Sequence, residues 1–158
     1  MLLFGDFVSK EAGIDPNEFV FNDAAGENDN RLTLKAEVQL LEYNYRQSPE
    51  YFHFFFDSLP ILGIDGSLED FAKNASGAGK IRAKPGTGII FNHSTGNFFL
   101  VTQAFAGYIE AKNGHLIAYE IVVNNATMSN LNDIFEIFED ESQLSNYIYD
   151  YINETIQN

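Results

Sequence analysis

Phe98–Asn124 reads FFLVTQAFAGYIEAKNGHLIAYEIVVN, two runs rich in aromatic and β-branched residues joined through Lys112-Asn113-Gly114. Asn-Gly between two such runs is the strongest short hairpin signal, because both residues tolerate the positive φ of a tight turn. The stretch therefore predicts strands at Phe98–Glu110 and His115–Asn124. Upstream, Lys80, Arg82 and Lys84 alternate with Ile81 and Ala83, so a strand here carries three cations on one face and apolar groups on the other. Downstream the period returns to helical: Leu131, Ile134, Phe135 and Phe138, then Leu144, Ile148 and Ile152 behind an expected cap at Ser142. An antiparallel hairpin between helical ends is an α+β arrangement.

The amino-terminal half reads as a short apolar helix, a turn at Asp15-Pro16-Asn17, a brief strand at Glu18–Phe21 and a polar loop from Asn22 to Asn30. Thr33 is a good N-cap for a helix on which Leu34, Val38, Leu41 and Tyr45 repeat at helical spacing, and which ends near Ser48-Pro49. Tyr51–Phe56 is a dense aromatic cluster expected to form a core helix. A loop follows at Ser58–Ser67, and Ser76-Gly77-Ala78-Gly79 is expected to be a flexible connector.

At 158 residues the chain fits a single domain with a real core, and 45% hydrophobic content argues against disorder. Nine Lys and Arg stand against 23 Asp and Glu, a net charge of −14. Nucleic-acid backbones and anionic lipid surfaces would repel such a protein, so neither is an expected partner. The absence of cysteine excludes a disulfide framework, a thiolate metal site and a thiol nucleophile. No apolar run approaches the roughly 20 residues of a membrane span. The opening residues lack the basic segment and long apolar stretch of a signal peptide, leaving a cytoplasmic location or a missing amino-terminal part as the two accounts.

His53, His93 and His115 stand apart, without metal-ligand spacing, and no metal or other cofactor is expected. Gly77-Ala78-Gly79-Lys80 resembles a phosphate loop only in part, since Asn74 and Ile81 occupy the positions of its first glycine and its Ser or Thr. The basic strand is the more informative feature. Three of nine cations on five residues would attract a carboxylate, although Lys and Arg also guard edge strands against aggregation. Lys84-Pro85-Gly86-Thr87-Gly88 then sets glycines beside the last lysine, where a ligand or another backbone can approach closely.

Ser58-Leu59-Pro60-Ile61-Leu62-Gly63-Ile64-Asp65-Gly66-Ser67-Leu68 resembles the S-L-P-x-x-G-x-D-G-[ST]-L signature of the serine-type D-alanyl-D-alanine carboxypeptidases, low-molecular-mass penicillin-binding proteins that also act as endopeptidases. Arg82-Ala83-Lys84-Pro85-Gly86-Thr87 sits where that family has its K-T-G strand. Ala106-Gly107-Tyr108, Gly114-x-Leu116-x-Ala118 and Val123-Asn124-Asn125 resemble the hairpin after it, and Asn28-Asp29-Asn30 resembles the S-x-N loop. The similarity runs over roughly residues 18–126. It implies a β-lactamase/transpeptidase-like domain, of which residues 1–158 would be the carboxyl-terminal portion.

The resemblance implies an acyl-enzyme mechanism, in which the serine of an S-x-x-K motif attacks the D-Ala-D-Ala peptide bond. Lys84 would place positive charge near the nucleophile and the substrate's terminal carboxylate, the Thr87 N–H would be an oxyanion-hole donor, and the Asn30 amide would orient the substrate. Asn28, Arg82, Pro85 and Gly86 would line the substrate. The sequence departs from the family pattern in three places: no S-x-x-K occurs, Asn28 replaces the second-motif serine, and Pro85 replaces the third-motif threonine. Reading Thr87-Gly88 as the T-G pair instead would need a local bulge. Truncation and degeneracy both account for the missing nucleophile, and either leaves the isolated chain inactive.

The expected partner is a peptidoglycan peptide or a β-lactam when the full domain is present, and the family resemblance implies the periplasm or cell envelope. An uncovered sheet edge would favour homo-oligomers. The alternative function is a non-catalytic acidic module that docks an anionic partner on its basic strand face.

Overall fold

The computed structural model describes residues 2–27 and 29–155. The chain divides into two compact units, residues 1–55 and 56–158. In the first, helix α1 (Leu2–Lys10) is followed by a 3-10 turn at Pro16–Glu18 and strand β1 (Phe19–Val20), which pairs antiparallel with β2 (Arg31–Leu32). Thr33 caps helix α2 (Leu34–Tyr45) as its sequence predicts, its hydroxyl accepting from the Ala36 N–H at 3.1 Å. Val8, Ile14 and Ala36 form the buried centre of this unit, with Phe19, Phe21, Leu32 and Leu40 against it.

Helix α3 (Pro49–Asp57) corrects the expectation of a core helix, for none of its residues is buried. Five aromatics in six positions surround a helix on all sides, so one packing face cannot take them all. Tyr51 and Phe54 are exposed, and Phe52 stacks edge-on against Tyr45 at 5.1 Å.

The second unit is built on an antiparallel sheet of order β3-β4-β5: β3 is Ile81–Asn92, β4 Asn97–Glu110 and β5 Leu116–Met128. The β4–β5 hairpin forms at the expected Asn-Gly. The Gly114 N–H closes a turn on the Ala111 carbonyl at 2.8 Å, with Gly114 at φ 84°. β3 runs well beyond the five residues that alternation marks out, passing through Pro85, and Lys80 falls just before it. Ile81, Ala83 and Pro85 are buried while Lys84 and Gly86 are exposed, the predicted period of two.

One helix, α4 (Asp133–Thr155), replaces the two expected at the carboxyl terminus. No glycine or proline interrupts residues 133–155, and Ser142, expected as a cap, is instead a fully buried mid-helix residue. Leu131, Phe135 and Leu144 are exposed, whereas Glu141, Ser142, Ser145, Asn146, Tyr149 and Asn153 face inward. The core joins Leu62, Leu68, Ile81, Ala83, Phe105, Ile109, Tyr119 and Tyr149, with Phe71 and Phe138 packed against it.

Much of the α4 attachment is polar. Asn146 Oδ1 accepts from the Gly77 N–H and Asn153 Oδ1 from the Lys112 N–H, both at 2.7 Å. The Ser76 hydroxyl donates to Asp150 at 2.6 Å. Ser76–Gly79 is thus a pinned segment and not the flexible connector its composition predicts. A Cβ at Gly77 would lie 2.9 Å from Ile81 Cδ1 and 3.0 Å from Asn146 Oδ1, so the glycine permits the close approach of helix and loop.

Candidate active site

The residues of the signature-like segment brace one half of the β3 edge. The Leu62 N–H donates to the Ile81 carbonyl at 2.9 Å, and the Ala83 N–H to the Pro60 carbonyl at 3.0 Å. These bonds show that odd-numbered backbone groups of β3 face away from β4. Pairing with β4 stays in register from Ile81 to Gly88, and a shift falls only between Gly88 and Ile89. The backbone groups of Pro85 and Thr87 therefore also face outward, along an edge with which no further strand pairs among the described residues.

Two consequences follow for the Lys84-Pro85-Gly86-Thr87 segment. Pro85 lacks an N–H only where the ladder needs none, which explains how a strand passes through it. The Thr87 N–H stands on the open edge, available to an oxygen brought alongside. The bulge that would let Thr87-Gly88 take the T-G role lies after that pair and not before it, so Lys84 and Thr87 leave opposite faces of the strand.

The three cations of the strip differ in their surroundings. Lys80 pairs with Glu110 at 3.0 Å, and Arg82 stacks its guanidinium 4.7 Å from the Phe56 ring centroid with Asp57 3.7 Å away. Lys84 has no carboxylate partner among the described residues. Its ammonium donates to the Pro85 carbonyl at 2.7 Å, which holds it at the outer edge of β3. A cation without a neutralising acid in a protein of net charge −14 is a local attractor for a carboxylate.

Thr87 turns its side chain to the helix-facing side of the sheet, where its hydroxyl donates to Gln103 Oε1. Thus the backbone of Thr87 serves the open edge while its side chain ties the strand to β4. Arg82, Lys84, Pro85, Gly86 and Thr87 are brought together on β3. Asn30 belongs to the other unit, where its side-chain Oδ1 accepts from the Asn22 N–H at 2.7 Å and its side-chain Nδ2 donates to Asp23 Oδ1 at 2.9 Å. That bond, with backbone donors from Ala25, Glu27 and Gly26, holds the Asp23 carboxyl below the usual range. Asn28 lies outside the described residues.

Sequence reading did not single out Gln103 or Glu141, both buried and polar. The available signal was parity: Gln103 shares the alternation of Phe105, Gly107 and Ile109, the core-facing positions of β4. A hollow of about 470 Å³ between residues 70–75 and α4 is lined by Asp70, Lys73, Asn74, Glu139, Gln143 and Asn146 among others, and contains none of the predicted site residues.

The fold is that of a penicillin-binding protein. The chain superposes on the crystal structure of penicillin-binding protein 4 from Haemophilus influenzae with a TM-score of 0.61 at 20% identity, over 91% of this chain and 30% of that one. The chain thus spans under a third of that relative's length. Residues 7–141 match the D-Ala-D-Ala carboxypeptidase 3 (S13) family, and the chain belongs to that family. No curated protein matches it. No helix among the described residues is long and apolar enough to cross a membrane.

Proposed function

We propose that this chain is the lysine-strand portion of a D-alanyl-D-alanine carboxypeptidase-like penicillin-binding protein that acts on peptidoglycan peptides in the cell envelope through a serine acyl-enzyme. The observation that carries this reading is the β3 edge, where the Lys84 ammonium, bonded to the Pro85 carbonyl and without a carboxylate partner among the described residues, and the outward Thr87 N–H lie three residues apart. Lys84 supplies charge for the substrate's terminal carboxylate, and Thr87 donates to the oxygen that becomes negative in the transition state. Arg82, Pro85 and Gly86 lie along the substrate's path on the same strand. The attacking serine comes from polypeptide outside this sequence, which contains no Ser-x-x-Lys.

The test uses a fluorescent penicillin. This chain alone is expected to form no covalent adduct, and a longer polypeptide carrying the Ser-x-x-Lys portion is expected to form one. In the longer protein Lys84→Ala lowers acylation by about 100-fold or more, whereas Lys80→Ala leaves it near the parent rate. An adduct on this chain alone refutes the placement of the nucleophile. Equal losses from Lys80→Ala, Arg82→Ala and Lys84→Ala refute the specific role of Lys84 and favour the non-catalytic docking surface.

A further inference from the structure

The core-facing positions of β4 read Gln103, Phe105, Gly107 and Ile109, and the glutamine, 0% exposed, is the polar exception in that row. The Thr87 hydroxyl, directly opposite on β3, donates to its Oε1. Odd-numbered positions of β3 exchange no backbone bonds with β4, because those groups face the open edge, and in such pairs the side chains stand closest. At Thr87 the side-chain bond is therefore the direct tie between the two strands. Gly86 and Gly88 flank it, and the pairing shifts register immediately after Gly88. Even a Cβ at Gly86 would meet nothing within 4 Å, so neighbouring side chains do little to hold the backbone there.

We propose that Gln103 is a positioning residue: by accepting the Thr87 hydroxyl on the helix-facing side of the sheet, it fixes the direction in which the Thr87 N–H points along the open edge of β3. Threonine is branched at Cβ, so a bonded hydroxyl selects one χ1 well and ties the Cα–Cβ bond to β4. At a tetrahedral Cα, a fixed Cβ direction restricts where the backbone nitrogen can lie. The N–H then meets an incoming oxygen in one orientation, as a donor to developing negative charge must.

Water does not readily replace the hydroxyl, since Gln103 is wholly buried and an unmet oxygen there is costly. Gln103 itself touches no substrate in this scheme. Its catalytic value rests on the role proposed above for the Thr87 N–H, whereas the tie is a property of this chain.

Helix α4 packs on the same side of the sheet, and burial pushes its Glu141 carboxyl up to about 7, so all variants are compared at a single pH. Nitrogen-15 relaxation of this chain reads the order of the Thr87 N–H, with the Ala83 N–H, which donates to the Pro60 carbonyl, as internal reference. The parent is expected to give an order parameter of about 0.85 at both sites. Thr87→Val, which removes the hydroxyl and keeps the shape, and Gln103→Leu are expected to bring Thr87 below about 0.6 with Ala83 unmoved. Thr87→Ser keeps a hydroxyl and is expected to restore the order that Thr87→Val loses.

An unmoved Thr87 value in Thr87→Val overturns the proposal, as does a loss shared equally by Ala83. Should Gln103→Leu fail to fold, Thr87→Val, at an exposed position, carries the same test. In the longer polypeptide with the Ser-x-x-Lys portion, Thr87→Val is expected to slow penicillin acylation about 10-fold, with the preceding non-covalent binding near its parent value. Order lost without slower acylation overturns the positioning role. A parent that takes no penicillin removes the function proposed above, and the order measured in this chain then still decides whether Gln103 holds Thr87.

Discussion

Gly107 is the residue that β3 and β4 tolerate least in any other form. A Cβ there would sit 2.0 Å from the Arg82 carbonyl oxygen and 2.7 Å from Ala83 Cα, both backbone atoms that cannot rotate away. Gly107→Ala is expected to destabilise the chain by about 1–3 kcal/mol, read as a fall in the urea midpoint. An unchanged midpoint would show that the two strands lie farther apart than described. The same clash would move Arg82 and Ala83, and through them the segment that carries Lys84. In the sequence Gly107 is visible only as part of Ala106-Gly107-Tyr108; the close approach that demands it is a matter of which backbone lies opposite, which one strand read alone does not reveal.

The elements were legible to different degrees, each for a physical reason. Alternation and Asn113-Gly114 located the β4–β5 hairpin because both signals are local. β3 was read too short because Pro85, Gly86 and Gly88 oppose a strand in isolation, and their fit depends on an outward-facing edge. Ser142 suggested a cap and is mid-helix because its burial comes from the sheet beneath it. Of the candidate site, the Lys84 strand was legible in its charge pattern, while Gln103 and Glu141 acquire meaning only when α4 lies across β4. Helix α4 makes its own prediction. Phe138 packs 5.2 Å from Phe71 and 5.5 Å from Phe105, ring centroid to centroid. Phe138→Ala is expected to cost about 3 kcal/mol by thermal or chemical denaturation. Phe135→Ala, at a position 59% exposed, is expected to change little, and equal losses at the two sites would mean that the helix presents a different face to the sheet.

On the scale of the whole molecule, 23 acids against nine bases make pH a strong variable. Glu141 contributes a term of definite sign. Its folded value of about 7 lies above the ordinary 4.5, so the native state holds its proton more tightly than the unfolded chain does. The stability it contributes is fully present below about pH 4.5 and is lost as pH rises through about 7. The thermal midpoint is expected to fall more between pH 5 and pH 8 in the parent than in Glu141→Gln, and parallel curves would show that Glu141 does not titrate over that interval. The polar underside of α4 has a further consequence. Asn146 and Asn153 stop two fixed amide donors seven residues apart, about 10.5 Å along the axis, and so act as a ruler for how the helix seats. Greasy surfaces forgive sliding, but a helix shifted by one turn would leave both donors stranded, so this one has a single berth.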